Sequence, residues 1–360
     1  MGILFERSDI VEEKLKIAVI FGGKSSEHDV SKISAASVIR NLNRNKYDII
    51  TVGITKNGVW GEFEGPIEWI EDGTWEESLR NFGFEIIGYI AEKVDIIFPV
   101  LHGSFGEDGC IQGLLEILNK PYIGPGVAGS ALGMDKGLSK IVFEHEGIPQ
   151  AKYMVFKQEK IPEALYIFVG KAEERLGYPC FVKPSNGGSS IGVSKVCSRE
   201  EFIKAINEAL KYDSKIIVEE FIDSREMECS VLGNEHPIAS VVGEIVPSRD
   251  FYDYNSKYND GTSQIIIPAE IDQKTSDRIR DYAIKAFKAL GCSGMSRIDF
   301  FLHKKTGEIF LNEINTIPGF TNISMFPKLF EASGIGYTEL LDTLIKLAVE
   351  RHFDQARSKN

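Results

Sequence analysis

The first third of the chain alternates between short apolar runs and amphipathic segments. Runs of strand length occur in "KIAVIFGG", "YDIITVGIT", "VDIIFPVLHG" and "KPYIGPG", and helix-like segments separate them. Strands that alternate with helices are typical of a parallel sheet covered by helices on both faces. We therefore predict an α/β domain over residues 1–125. Within it the polar-aromatic stretch 58–92 carries no clear period and stays unassigned.

From about residue 126 the pattern predicts α+β structure. A strand in "AKYMVF", two strands flanking the glycine-serine loop of "YPCFVKPSNGGSSIGVSKV", the amphipathic helix "REEFIKAINEALKY" and the strand "KIIVEEFI" form a second domain over 126–220. A third domain over 221–360 is predicted from the strands "MECSVLG", "PIASVVGEIV", "QIIIPAEI", "MSRIDFFLH" and "IFLNEIN" and the helices "DRIRDYAIKAFKALG" and "ELLDTLIKLAVERHF".

One long loop stands apart from these elements. "SRDFYDYNSKYNDGTS", residues 248–263, is polar but rich in aromatic residues. Long loops in compact domains are usually functional lids or disordered segments, and disordered segments are poor in aromatic residues. The composition therefore favours a lid.

Composition narrows the class of protein. The 360 residues carry a net charge of -12, which disfavours nucleic acid as a partner because phosphate backbones require a basic surface. Five cysteines without a CxxC pair predict neither a disulfide framework nor a zinc site, and a reducing cytoplasm suits them. The start "MGILFERSDIVEEKLK" lacks the apolar core of a signal peptide, and no apolar run approaches the ~20 residues of a membrane span.

Two strands near the end of the chain carry polar residues at an alternating spacing. Glu313 and Asn315 lie two apart and so face the same side of their strand. If the preceding strand pairs with it across "HKKTGE", Asp299 lies beside them. Three oxygen-bearing side chains suit a hard cation such as Mg²⁺, which completes its shell with phosphates and water. A solvated hairpin face is the alternative, and the apolar flanking residues disfavour it.

Two glycine-rich turns are candidate anion sites. In "FVKPSNGGSSIG" the glycines let backbone N–H groups converge on phosphate oxygens, and Lys183 adds a positive charge. The alternative is that the same residues form an ordinary hairpin turn without a ligand. In "FGGKSSEHDVS" the helix start is suited to an anion, and Glu27 to a ligand ammonium. Alternatively, Glu27 only complements the positive end of the helix.

Two further features are open to structural explanations. "IIVEEFIDSREMEC" places two acidic residues after a buried strand and Glu226 beyond them, which fits either a hinge that contacts a purine or, as the residues alone favour, a charged turn. His102 follows a buried strand at the end where open α/β sheets bind ligands, although a single histidine is more often structural.

Taken in order, several segments resemble a known family. "FGGKSSEHDVS", "LHGSFGEDGCIQG", "ALGMDKGLSK", "FVKPSNGGSSIGVSKV", "FYDYNSKY", "MSRIDFF" and "NEINTIPGFTNISMFPKLFEASG" are similar to the motifs of the D-alanine–D-alanine ligases, from about residue 16 to 350. These are ATP-grasp carboxylate–amine ligases. The resemblance implies an ATP-grasp fold of α/β and α+β domains, with a Rossmann-like parallel-sheet domain first and ATP bound between the second and third.

The resemblance also implies a reaction and its cofactors. ATP phosphorylates the carboxylate of one D-alanine. The amine of a second D-alanine attacks this acylphosphate to form a tetrahedral intermediate, which then expels phosphate. Because a carboxylate and a triphosphate repel each other, the family uses two Mg²⁺ ions, with Mn²⁺ as a possible substitute. The dipeptide enters peptidoglycan synthesis, and similar proteins are commonly homodimers of the cytoplasm.

By matching motif positions, the resemblance assigns roles to individual residues. Catalytic roles fall to Glu27, Ser189, Tyr258, Arg297, Gly319 and Ser324. ATP binding falls to Lys136, Lys183, Ser190, Glu219, Glu220, Phe221, Ile222, Glu226, Lys257 and Asn312. Substrate binding falls to Glu27, His102, Tyr258, Ser324 and Met325. Metal binding falls to Asp299, Glu313 and Asn315, with Glu313 bridging the two ions.

Three alternatives stay open at this stage. A D-alanine–D-serine or D-alanine–D-lactate ligase would share every ATP residue. A kinase on the same scaffold would stop after phosphoryl transfer, and a nucleotide sensor would not turn over at all. "KY" at 257–258 stands as in the dipeptide-forming members, which favours D-alanine as the second substrate.

Overall fold

The computed structural model describes residues 13–83, 85–158, 162–246 and 264–358, and these form three sheets. The first sheet has the order β4-β3-β2-β1-β5, in which β1 pairs in parallel with β2 and β5 while β3 and β4 add antiparallel strands. Its strands are β1 (Leu15–Gly22), β2 (Tyr47–Ile54), β3 (Trp60–Phe63), β4 (Arg80–Asn81) and β5 (Ile96–Pro99). The helices of this region are α1 (His28–Asn41), α2 (Ile67–Asp72), α3 (Glu85–Lys93), α4 (Cys110–Ile117) and α5 (Val127–Met134).

Both faces of this sheet are buried, as the apolar runs predict. In β1, Ile17 and Val19 belong to the core beneath α1, whereas Ala18 and Ile20 belong to a second core with α3 and α4. Alternate residues of a strand point to opposite faces, so an uninterrupted apolar run fills two cores.

The predicted fourth strand "KPYIGPG" is much shorter than expected. It is reduced to one parallel bridge between Ile97 and Tyr122, flanked by hydrogen bonds from the Ile97 N–H to Pro121 and from the Ile123 N–H to Ile97. Proline has no N–H to donate, so the ladder does not extend further.

The second sheet is antiparallel and has the order β6-β9-β7-β8. Its strands are β6 (Tyr153–Lys157), β7 (Cys180–Pro184), β8 (Ser194–Val196) and β9 (Lys215–Glu220). Its helices are α6 (Lys136–His145), α7 (Pro162–Leu176) and α8 (Arg199–Ala209). The hydroxyl of Ser198 accepts the N–H of Glu201 and so begins α8, the predicted amphipathic helix. All the strands predicted for this region are confirmed.

The third sheet has the order β12-β11-β10-β13-β14. Its strands are β10 (Ser224–Gly233), β11 (Ile238–Val246), β12 (Gln264–Ile266), β13 (Gly294–His303) and β14 (Ile309–Asn315). Its helices are α9 (Gln273–Ala289), α10 (Met325–Ala332) and α11 (Tyr337–Ser358). The predicted lid, 248–263, lies outside the described residues.

The last helix joins the first sheet to the third. Leu340 and Leu344 of α11 share one core with Phe98 of β5 and with Phe320, and the rings of Phe98 and Phe320 lie 5.5 Å apart, edge to face. This packing brings the loop after β14 beside α1. Among the described residues, no helix has both the length and the apolar character that crossing a bilayer requires.

Candidate active site

The predicted pairing of the last two strands is confirmed. β13 and β14 are antiparallel, with Asp299 directly opposite Glu313 and Arg297 opposite Asn315. Ile314 points the other way and is buried. A bulge follows the Asp299–Glu313 pair, because Phe300 already pairs with Leu311. The bulge places the extra residue of β14 at the edge of the cleft described below.

Arg297 is the centre of a group of ion pairs on this hairpin. Its Nε lies 2.7 Å from Oδ1 of Asp299 and 3.0 Å from Oε2 of Glu228, and its Nη2 lies 2.8 Å from Oδ2 of Asp299. Burial disfavours the charge on Arg297, but the two carboxylates outweigh it and raise its pKa. A fixed positive charge therefore stands beside the predicted metal ligands. Glu228 was not predicted from the sequence, because its partner Arg297 lies on another strand.

The donor set around Asp299 fits a divalent metal ion. Asp299 and Glu313 contribute carboxylate oxygens, and the Asn315 amide lies beside them, with its Nδ2 donating to Oδ2 of Asp299 at 3.1 Å. Lys136 places its Nζ 3.1 Å from Oε2 of Glu313. No group of three or more His, Cys, Asp or Glu residues suited to a metal occurs in the part of the chain that the structure describes. Two carboxylates and an amide suit an oxygen-seeking cation that also binds phosphates.

A cleft of about 560 Å³ opens between the second and third sheets. This volume is in the range of small-molecule and cofactor sites. Every residue predicted to bind ATP that lies within the described residues lines it, namely Lys136, Lys183, Ser190, Glu219, Glu220, Phe221, Ile222, Glu226 and Asn312. Lys257, the remaining one, lies outside the described residues.

Glu219 lies between two lysines at the back of this cleft. Its carboxylate is 2.9 Å from the Nζ of Lys140 and 2.5 Å from the Nζ of Lys183. Burial disfavours ionisation of Glu219, but the two positive charges outweigh it and lower its pKa to about 2. Lys140 was not predicted from the sequence. Its spacing of four residues from Lys136 could have indicated it, because such residues share one face of a helix.

Replacing Lys140 by methionine is expected to destabilise the protein. The buried Glu219 would keep Lys183 but lose one hydrogen-bonding partner, so we expect a loss of about 1–3 kcal/mol at pH 7. Because the folded-state pKa of Glu219 lies below its unfolded value, the stabilisation present at neutral pH is lost as the pH falls toward 2. Urea unfolding from pH 7 to 2 should show a smaller loss on acidification in Lys140→Met than in the wild type.

Lys204→Met is the matched control, since Lys204 pairs with Glu200 on an exposed helix face. Equal acid sensitivity of wild type and Lys140→Met would exclude the proposed charge pairing.

The second candidate turn brings Glu27 to the glycine-serine loop that borders the cleft. Ser189 of the glycine-serine loop donates its hydroxyl to Oε1 of Glu27, across a sequence separation of 162 residues. Gly103 and Gly188 pack against the carboxylate, and a Cβ on them would lie 2.4 and 2.9 Å from its Oε2. The backbones of two loops therefore approach a single buried carboxylate. Ser189 itself has a positive φ of 50°, a conformation that side chains rarely adopt except at functional turns.

The predicted second-substrate residues lie at the start of α10. The hydroxyl of Ser324 accepts the N–H of Thr321, and a Cβ on Gly319 would lie 2.8 Å from that hydroxyl. The side chain of Met325 is buried against Ile245. As the first residue of α10, Met325 offers its backbone N–H, which has no partner within the helix.

His102 is buried and uses both ring nitrogens. Its Nδ1 lies 3.1 Å from the Ile317 carbonyl and its Nε2 lies 3.0 Å from the Ser34 hydroxyl. Burial lowers the pKa of His102. The ring thus links β5, α1 and the loop after β14. Tyr258, predicted to be catalytic and to bind substrate, lies outside the described residues.

The arrangement defines a class of enzyme. Two α+β domains that enclose a nucleotide-sized cleft between their sheets, preceded by a parallel-sheet domain, form the ATP-grasp fold. An ATP-grasp ligase of this kind couples a carboxylate to an amine.

Comparison with known proteins identifies the family. Models described as "D-ala D-ala ligase N-terminus" and "D-ala D-ala ligase C-terminus" match residues 16–125 and 142–346. The D-alanine–D-alanine ligase of Ruminiclostridium cellulolyticum is 52% identical and that of Acetivibrio thermocellus 50%, each over 96% of this chain and 98% of the relative.

Solved structures agree with this assignment. The D-alanine–D-alanine ligase from Coxiella burnetii superposes with a TM-score of 0.82 at 37% identity, covering 96% of this chain and 97% of that one. The VanG D-Ala:D-Ser ligase from Enterococcus faecalis gives 0.84 at 41% identity, covering 93% and 100%. The chain belongs to the D-alanine–D-alanine ligase family and is an ATP-dependent ligase.

Proposed function

We propose that this chain joins two molecules of D-alanine to D-alanyl-D-alanine, for use in peptidoglycan precursors. One carboxylate oxygen of the first D-alanine attacks the γ-phosphorus of ATP, forming D-alanyl phosphate and releasing ADP. The amine of the second D-alanine attacks the acyl carbon, loses a proton, and expels inorganic phosphate. Each turnover therefore consumes one ATP and makes one peptide bond.

The observation that carries the proposal is the contact between Ser189 and Glu27. Ser189 belongs to the loop that borders the nucleotide cleft, and Glu27 belongs to the domain of the parallel sheet. A buried carboxylate at this place suits the ammonium of an amino acid, whose own carboxylate would then point toward the phosphates. Binding of the two reactants side by side is the main requirement of the first step.

The residues of the cleft are suited to reduce the repulsion between the two anions. Two unit charges ~4 Å apart repel by ~4 kcal/mol at an effective dielectric constant near 20. Lys136 and Lys183 face the cleft and can contact phosphate oxygens. Asp299, Glu313 and Asn315 would hold two Mg²⁺ ions, or Mn²⁺ in their place. These ions would supply positive charge at the phosphates.

The second step requires donors at the developing oxyanion. The resemblance to the family assigns this role to Arg297, which lies on β13 beside Asp299, and to the backbone N–H of Gly319 in the loop after β14. Ser324 and the N–H of Met325 are assigned to the carboxylate of the second D-alanine, at the start of a helix where backbone N–H groups favour an anion.

Phosphate release with different acceptors tests the proposal. D-alanine alone with ATP and Mg²⁺ should release phosphate and give a dipeptide that mass spectrometry detects, and L-alanine should not. Absence of turnover with D-alanine alone, together with turnover when D-serine or D-lactate is added, would reassign the second substrate. The likeness to the VanG D-Ala:D-Ser ligase makes D-serine the first acceptor to compare. A stable phosphorylated product without peptide would indicate a kinase, and no ADP would indicate a sensor.

We further propose that the enzyme works in the cytoplasm as a homodimer. ATP and its amino-acid substrates are available there, and the scattered cysteines suit a reducing compartment. Light scattering on the purified chain measures the assembly, and a mass of one 40.1 kDa chain would refute the dimer.

A further inference from the structure

The loop after β14 is held at two points by groups of the parallel-sheet domain. Glu107 accepts the N–H of Ile317 at 3.1 Å, and His102 contacts the carbonyl of Ile317 at 3.1 Å. Two residues past Pro318, the N–H of Phe320 donates to the hydroxyl of Ser34 at 3.2 Å. Ser34 lies in α1 and is fully buried.

The position of each proton in this network follows from which atoms can donate a hydrogen bond and which can only accept one. The Ile317 carbonyl only accepts, so Nδ1 of His102 carries the hydrogen. Because burial keeps the ring neutral, Nε2 has a free electron pair and accepts the hydroxyl proton of Ser34, 3.0 Å away. The oxygen of Ser34 in turn accepts the N–H of Phe320. The same serine hydroxyl therefore orients His102 and holds Phe320.

Only two residues lie between the held positions, Pro318 and Gly319. The proline ring fixes its own φ angle near -65°. Gly319 approaches Ser324 so closely that a Cβ would meet its hydroxyl at 2.8 Å. With the segment fixed on both sides and stiff in between, the N–H of Gly319 has little freedom to change direction.

We propose that Ser34 is a positioning residue that fixes the direction of the Gly319 N–H through His102 and Phe320. This inference rests on the proposed function, in which that N–H stabilises the tetrahedral oxyanion. Ser34 does not touch the reacting atoms in this scheme. Ser34 links the parallel-sheet domain to the loop that carries Gly319. The Gly319 N–H is therefore aligned before negative charge develops on the tetrahedral intermediate.

Ser34→Ala tests this role by removing the hydroxyl and little volume. We expect kcat for dipeptide formation to fall by about 10- to 100-fold, since a small misplacement of a donor has effects of that size. The KM for ATP should change less than about threefold, because Ser34 is not among the residues that line the nucleotide cleft. Affinity for a phosphinate analogue of the tetrahedral intermediate should fall by the same factor as kcat.

Ser240→Ala is the matched control, since Ser240 is a buried serine whose hydroxyl accepts the N–H of Ser230 in the third sheet. Its loss of stability in urea should equal that of Ser34→Ala, while its kcat and analogue affinity stay at the wild-type level. If Ser34→Ala does not fold, Ser34→Cys fills the same space with a weak hydrogen-bonding group and should show the same fall in kcat.

The outcomes separate this inference from the proposed function. A wild-type enzyme that ligates D-alanine, together with a Ser34 variant within twofold of the control in kcat and analogue affinity, would overturn the positioning role alone. A wild-type enzyme that makes no peptide would overturn the proposed function and, with it, the role given to Gly319.

Discussion

Replacing Glu313 by glutamine is expected to abolish measurable turnover while leaving the fold intact. Glu313 lies opposite Asp299 and is proposed to bridge two divalent ions. A neutral amide is unable to bridge them, and metal ions supply several kcal/mol of charge stabilisation in phosphoryl transfer. We therefore expect kcat to fall by at least ~10³-fold. Lys136 would lose a charged partner, but the glutamine oxygen can still accept a hydrogen bond from its Nζ and the Gly187 carbonyl is retained, so we expect little effect on stability.

Metal binding measured directly makes this test specific. ADP release gives the rate, and titration with Mn²⁺ in the presence of ADP, followed by electron paramagnetic resonance, gives the number of bound ions. Glu308→Gln is the control, because Glu308 is exposed in the turn between the same two strands. If Glu313→Gln retained both bound ions and a rate within tenfold of the wild type, the metal assignment would be wrong.

The hairpin that carries this site could be predicted from the sequence for a simple reason. Its turn is short and its strands have one apolar face, so the register is fixed locally. Pairing of the two strands brings Asp299 close to Glu313, but the register that starts at the turn would put Asp299 opposite Asn312, and only the bulge puts it opposite Glu313. The bulge after that pair was not predictable, because no letter in "IFLNEIN" distinguishes a residue that pairs from one that is skipped.

The stretch 58–92 shows where local patterns stop being informative. It contains β3 of four residues, β4 of two, and a buried Trp75. The ring of Trp75 packs directly against Gly53, and a Cβ on that glycine would lie 2.1 Å from Cζ3 of the ring. This fit between a tryptophan and a distant glycine holds the segment in place, and short strands leave too few residues to show a period.

Contacts between distant segments explain the missed site residues. Ser34 of α1 and Glu228 of β10 act through partners far along the chain. Nothing in the neighbouring sequence distinguishes this serine from other serines of a buried helix, or this glutamate from other polar residues of a strand. Only the packing of α11 on the first sheet brings the loop after β14 to Ser34, and no spacing in the sequence predicts that approach.

Replacing Glu27 by glutamine is expected to separate amino-acid binding from nucleotide binding. The amide oxygen of glutamine still accepts the hydroxyl of Ser189, so the contact between the two domains is retained. The negative charge proposed to bind the ammonium of the first D-alanine is lost. A hydrogen bond to a charged group contributes ~1.5–3 kcal/mol, so the KM for the first D-alanine should rise by ~10- to 100-fold.

The KM for ATP should stay within about twofold of the wild type, because Glu27 is proposed to contact only the amino acid. Initial rates measured over a matrix of ATP and D-alanine concentrations give both values, and Glu92→Gln on the exposed side of α3 controls for loss of one negative charge. The pattern differs from that of Glu313→Gln, in which kcat falls. A rise in the KM for ATP that equals the rise for D-alanine would show that Glu27 acts on the nucleotide cleft through Ser189, and the ammonium assignment would have to be abandoned.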